Sequence, residues 1–107
     1  MDIIDTEIVD DGLVISFNTN VIDASVSNEK GFYEHIEKEF KSNDLKTITL
    51  DLTGVEAVDS HGVGIIIKLY KLSGQKYNRF TLKNIENDYV KEILRLTKVE
   101  RIMKIED

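Results

Sequence analysis

Between Thr47 and Leu72 the hydropathy pattern changes period once, from every second residue to helical spacing, which restricts the chain to folds where a buried strand feeds a helix packed on the same sheet. Thr47-Ile48-Thr49-Leu50-Asp51-Leu52 alternates as a strand and stops at Thr53-Gly54. A short loop then runs into Asp59-Ser60-His61-Gly62-Val63-Gly64, and a helix is expected from Ser60 to Leu72. This places the Ser60 hydroxyl at a helix start, where backbone N–H groups point outward and the helix dipole favours negative charge.

The rest of the chain fits around that unit. Ile3 to Val9 and Leu13 to Phe17 read as strands joined at Asp10-Asp11-Gly12, an antiparallel hairpin. Asn18 to Ser27 is polar with Val21 and Ile22 embedded, and Asn28 to Lys41 carries Phe32, Ile36 and Phe40 on one helical face, with Gly31 weakening its first turn. Arg79 to Asn84 repeats the strand pattern, Asp88 to Thr97 places Val90, Ile93, Leu94 and Thr97 on one face of a helix, and Ile102 to Ile105 closes the chain as a strand. The expected order is β-β-α-β-α-β-α-β: an α/β fold with a mixed sheet opened by a hairpin and helices packed on it, in one domain over residues 1–107.

Composition narrows the function. The formal charge of −6 leaves no basic stripe for phosphate neutralisation, so nucleic acid is not an expected partner. No cysteine is present, which removes disulfides, thiolate chemistry and cysteine-based zinc sites. The longest apolar run is Ile65-Ile66-Ile67, far short of the roughly 20 residues of a membrane span. Met1-Asp2-Ile3-Ile4-Asp5 has neither the basic nor the apolar region of a signal peptide, so a cytoplasmic protein is expected.

On the Ser60 helix the apolar side chains Val63, Ile65, Ile66, Leu69, Tyr70 and Leu72 cover roughly 220° of the circumference, more than a surface helix needs. Ser60, Gly64, Ile67, Lys68 and Lys71 share the remaining face, a candidate docking column. Gly64 either opens that face to another chain or lies against a strand or helix of the same domain. Either Ser60 or Asp59 is suited to N-cap the helix.

The Asp59-Ser60-His61-Gly62-Val63-Gly64 element following the strand Ile48 to Leu52 resembles the signature of STAS domains, specifically the anti-sigma factor antagonists, and the resemblance covers nearly the whole chain. It implies a STAS-like fold and a partner switch. The unphosphorylated domain would bind an anti-sigma factor that is also a GHKL-type serine kinase and so free a sigma factor. Phosphorylation of Ser60 would end that binding, and a serine phosphatase would reset it. Asp23 corresponds to a family aspartate expected to contact the kinase, and Asp59 would position the loop. ATP and its metal would belong to the kinase, so no cofactor and no metal site is expected here. The chain departs from the family pattern at Asn20 and Lys98, where glycine is usual, at Val26-Ser27, where a small Thr-Ala pair is usual, and at His61, where serine or threonine is common. His61 reads as a solvent-exposed loop-edge residue, the alternative being an imidazole beside the acceptor that offsets phosphoserine charge.

The same residues do not make an enzyme. Asp59, Ser60 and His61 are adjacent in sequence, so their side chains diverge on a helix start and form no relayed triad, and Val58 occupies the first glycine position of a nucleophile elbow. The two histidines and scattered carboxylates such as Glu37, Glu39 and Asp44 have no metal-ligand spacing. The remaining alternative is a constitutive STAS scaffold or adaptor in a signalling or lipid-transport assembly, with Ser60 only a cap. In either case the wide apolar face of the Ser60 helix is a candidate docking surface, for a partner or for a homodimer.

Overall fold

The computed structural model describes residues 1–42, 44–77 and 79–106. Strands β1 (Ile4–Val9) and β2 (Gly12–Phe17) form the antiparallel hairpin, in register from Ile4 opposite Phe17 to Val9 opposite Gly12. The turn is therefore the pair Asp10-Asp11, with Asp10 at φ +57° and Gly12 already in the strand. Two short elements follow, β3 (Val21–Ile22) and α1 (Ala24–Ser27), and then α2 (Phe32–Ser42). The helix expected from Asn28 begins only at Phe32 because Gly31 takes φ +76°, a left-handed conformation that a right-handed helix cannot contain.

The remaining elements are β4 (Thr47–Asp51), β5 (Ala57–Val58), α3 (Ser60–Leu72), β6 (Phe80–Lys83), α4 (Asp88–Leu96), a single 3-10 turn over Val99–Arg101 and β7 (Lys104–Ile105). Lys98, one of the positions at which the resemblance led to an expected glycine, sits at φ +62°, so the chain makes a left-handed bend after α4 without glycine.

The main sheet has the order β1-β2-β4-β6-β7, with β2, β4, β6 and β7 parallel, and β3 and β5 pair in parallel as a separate ribbon. From β2 onward the sheet grows in one direction, each step crossing through a helix. Right-handed crossovers in one direction place α2, α3 and α4 on the same face. That side of the sheet is apolar: Leu13, Ile48 and Phe80 lie in register, as do Ile15, Leu50 and Leu82, all buried. The opposite side carries the alternate residues Glu7, Val14, Thr49, Thr81 and Lys104, the polar pattern of a face without helices.

α3 crosses between β4 and β6 in the middle of the helical layer, which explains its width of apolar surface. Val63, Ile65, Ile66, Leu69 and Tyr70 are all buried and Leu72 is half-buried. The wide apolar face expected to serve docking or a homodimer is thus internal, and the domain's own core occupies it. Thr97, expected on the apolar face of α4, is exposed, and its hydroxyl donates to the Ile93 carbonyl at 2.7 Å.

Candidate functional site

β3 and β5 bring two loops together. Val21 lies in register with Ala57 and Ile22 with Val58, and each strand ends in an aspartate that caps a helix: Asp23 for α1, Asp59 for α3. The Asp23 carboxylate accepts from the Ser25 N–H at 3.0 Å and from the Ser25 hydroxyl. The Asp59 carboxylate accepts from the Gly62 N–H at 2.8 Å. Further bonds stitch the loops: the Asn20 carbonyl accepts from Glu56 N at 2.7 Å and Ala57 N at 3.2 Å, and the Ile22 carbonyl from Asp59 N at 3.4 Å.

Gly62 explains how closely these units approach. A Cβ at this position would lie 2.0 Å from the Ile22 carbonyl oxygen and 2.8 Å from Val58 Cγ1, so only glycine lets α3 start directly beneath β3.

With Asp59 as the cap, Ser60 is the first residue of the helix, exposed, and its hydroxyl makes no hydrogen bond to the described residues. His61 beside it is also exposed. Along the same face a Cβ on Gly64 would meet nothing within 4 Å, so Gly64 does not lie against the domain's own strands or helices. Ile67 is half-buried, while Lys68 and Lys71 are exposed. Lys68 Nζ lies 3.9 Å from the centroid of the Tyr33 ring, which joins α2 to the edge of the column through a cation–π contact.

Electrostatics at the ribbon are acidic. The Ser25 hydroxyl, then the Ser25 N–H, hold the Asp23 carboxyl below the usual carboxylate range, with a smaller pull from the charge of His61. Asp51, at the end of β4, is partly buried, which opposes ionisation. The Thr53 hydroxyl at 2.6 Å, the Thr53 N–H at 3.0 Å and the Asn84 amide at 3.1 Å outweigh this and lower its pKa. Asp51 thereby fixes the start of the loop leading to Ser60, helped by a 3.2 Å bond from Gly54 N to Glu86 Oε1. The sequence reading assigned neither Asp51 nor Tyr33 a role. The Asp-x-Thr spacing was a usable signal for Asp51, since such aspartates hydrogen-bond two residues on; Tyr33, one residue off the Phe32–Ile36–Phe40 face, carried none.

A family model for the STAS domain matches residues 4–107. The chain is a member of the STAS domain family. A Thermotoga maritima protein provisionally named as an anti-sigma factor antagonist is 31% identical over 101 residues, which cover 94% of this STAS domain and 86% of that protein. A Thermotoga neapolitana homologue of TM1081, provisionally named in the same way, is 29% identical over the same shares. The NMR structure of TM1081 matches this domain with a TM-score of 0.72 at 31% identity, covering 95% of this chain and 78% of that one. The anti-sigma factor antagonist SpoIIAA in its unphosphorylated form matches with a TM-score of 0.68 at 16% identity, over 97% and 88% of the two chains, a likeness of fold. Among the described residues no helix is long and apolar enough to cross a membrane.

Proposed function

We propose that this STAS domain is an anti-sigma factor antagonist whose binding to an anti-sigma factor is switched off by phosphorylation of Ser60. The observation that carries the reading is the division of labour at the start of α3: Asp59 caps the helix, so the exposed Ser60 hydroxyl is not needed for capping. A scaffold reading then has to do without a capping role for Ser60. The docking surface is the column Ser60, Gly64, Ile67, Lys68 and Lys71, bordered at its upper end by Asp23, Asp59, His61 and Gly62.

The switch follows from charge. A kinase of the GHKL type, acting as the anti-sigma factor, transfers the ATP γ-phosphoryl group to Ser60 Oγ, leaving ADP. Phosphoserine carries nearly two negative charges and three acceptor oxygens. Placed beside Asp59 and near Asp23, it must be desolvated among like charges when the partner docks. No internal rearrangement is required, because Ser60 stands on a helix whose buried face is fixed by the core. A serine phosphatase restores the binding form.

The test is affinity for a GHKL-type anti-sigma factor from the same genome, measured by calorimetry for the wild type, Ser60→Ala and Ser60→Glu. The reading predicts that Ser60→Ala binds as the wild type does, whereas Ser60→Glu binds at least about tenfold more weakly. Equal binding by all three variants would overturn it.

A further inference from the structure

Among the described residues one buried side-chain polar atom meets no hydrogen-bond partner, Nε of Arg79. Native proteins leave few such donors, and each asks for a reason. Arg79 stands just before β6, and its Nη1 donates to the Ser73 carbonyl at 2.8 Å, which caps the end of α3 and holds the guanidinium in place. The other edge of the fork, Nε and Nη2, has no acceptor among the described residues.

Arg79 lines an open cleft of about 490 Å³ together with Leu45, Lys46, Lys76 and Tyr77. Backbone bonds assemble it where β4 and β6 begin. The Asp11 carbonyl accepts from Lys46 N at 2.8 Å, the Arg79 carbonyl from Ile48 N at 2.7 Å, and the Lys76 carbonyl from Arg79 N at 3.0 Å. Three cationic side chains thus share one cleft in a chain of net charge −6, and no carboxylate lines it. Asp11 lies beside it, 3.4 Å from Lys46 Nζ, but both side chains are more than half exposed, so water and salt screen that pair. Lys76 forms no ion pair among the described residues.

We infer that this cleft is an anion site for a phosphate group, free or carried as a monoester. A guanidinium edge with two parallel N–H donors matches two phosphate oxygens, and binding turns the unpaired Nε–H into a charge-assisted bond. Lys46 and Lys76 add point charge, which suits a dianion better than a single carboxylate. The exposed Tyr77 ring offers a flat apolar wall for the body of an ester. The C-terminal end of α3 turns its negative dipole toward this side, and the Arg79–Ser73 bond offsets it, so the binding charge comes from the side chains. Ser60 stands at the opposite end of α3, 13 residues or about 20 Å away, so this inference stands apart from the proposed switch.

The test is an NMR titration of the ¹⁵N-labelled full chain with inorganic phosphate and, separately, phenyl phosphate, each against sodium chloride at matched ionic strength. Both anions should give saturating shifts confined to Leu45, Lys46, Lys76, Tyr77 and Arg79, including the Arg79 Nε–H signal, with dissociation constants on the order of 1 mM for a few charge-assisted bonds in an open cleft. Tighter binding of phenyl phosphate assigns the site to a monoester whose body lies on Tyr77, and equal binding assigns it to free phosphate; either supports the site. Lys76→Glu, an exposed change that leaves the fold in place, should weaken binding by about tenfold, and Arg79→Lys, which keeps the charge and removes the fork, by about fivefold. Shifts reproduced by sodium chloride, shifts that do not saturate, or a Lys76→Glu titration identical to that of the wild type would overturn the inference.

Discussion

The two capped helix starts, at Asp23 and at Asp59, are the same construction used to different ends. Each follows a two-residue strand of the β3–β5 ribbon, and the two aspartates come next in register. Beyond the caps they diverge. α1 has Ala24 in its first position, buries Val26 three residues after the cap and ends after 4 residues. α3 has Ser60 and Gly62 in those places and runs for 13 residues. An isolated turn as short as α1 is marginal by itself, whereas α3 is clamped by buried Val63, Ile65, Ile66 and Leu69. The comparison separates what capping requires, an aspartate, from what it does not, a hydroxyl in the next position. It also bears on the proposed switch: the start of α3 is held in place by the core.

The largest effect is expected from making α3 resemble α1 at the third position. Gly62→Val drives a branched side chain into the Ile22 carbonyl and should destabilise the domain by about 3 kcal/mol, read as a lower urea midpoint. The same change in the other direction, Val26→Gly, leaves a void and costs in proportion to lost packing, without parting the loops.

Next come the caps. Asp59→Ala should cost about 1 kcal/mol of unfolding free energy, and Asp23→Ala less, because few core contacts depend on α1. Equal losses would erase the distinction between a clamped and a marginal helix start.

Gly64→Leu sharpens the contrast between fold and surface. The position is open, so the substitution removes the helical cost of glycine and should raise stability by about 0.5–1 kcal/mol. If the proposed docking column is the binding surface, the same side chain should lower affinity for the proposed anti-sigma partner by about tenfold. Thermal melting and calorimetry on one protein sample read both signs, and unchanged affinity would remove Gly64 from the interface.

The smallest effect is the response to acid. Asp23 and Asp51 have carboxyls held below the ordinary range. Their contribution to stability is therefore complete above the unfolded-state value of about 3.9 and is lost as pH falls through the lower folded-state value. Urea unfolding through that window should show a shallow decline, flatter in Asp51→Asn; an identical slope in the variant would exclude Asp51 as a contributor.

Long periodic elements were legible in the sequence. The helix expected from Ser60 to Leu72 has those bounds, and β4, β6 and the hairpin lie where their alternation places them. Val21–Ile22 and Ala57–Val58 were not legible as strands, because two residues are too few to show a period, yet this ribbon is what sets Asp23 beside the start of α3. The apolar arc of α3 was visible but its destination was not: periodicity measures how much of a helix is apolar, while only the one-directional sheet order shows that the domain itself covers it. Gly64 stood between two readings until the space around it was known, and Asp51 needed its bonds to Thr53 and Asn84 to be seen.

The most direct test of the central claim is the intact mass of the full chain after incubation with ATP, Mg²⁺ and a candidate GHKL-type serine kinase, beside the Ser60→Ala variant. The account predicts one added phosphate on the wild type and none on the variant. Absence of phosphate on the wild type, with a kinase shown to bind it, or a phosphate retained by Ser60→Ala, would contradict it.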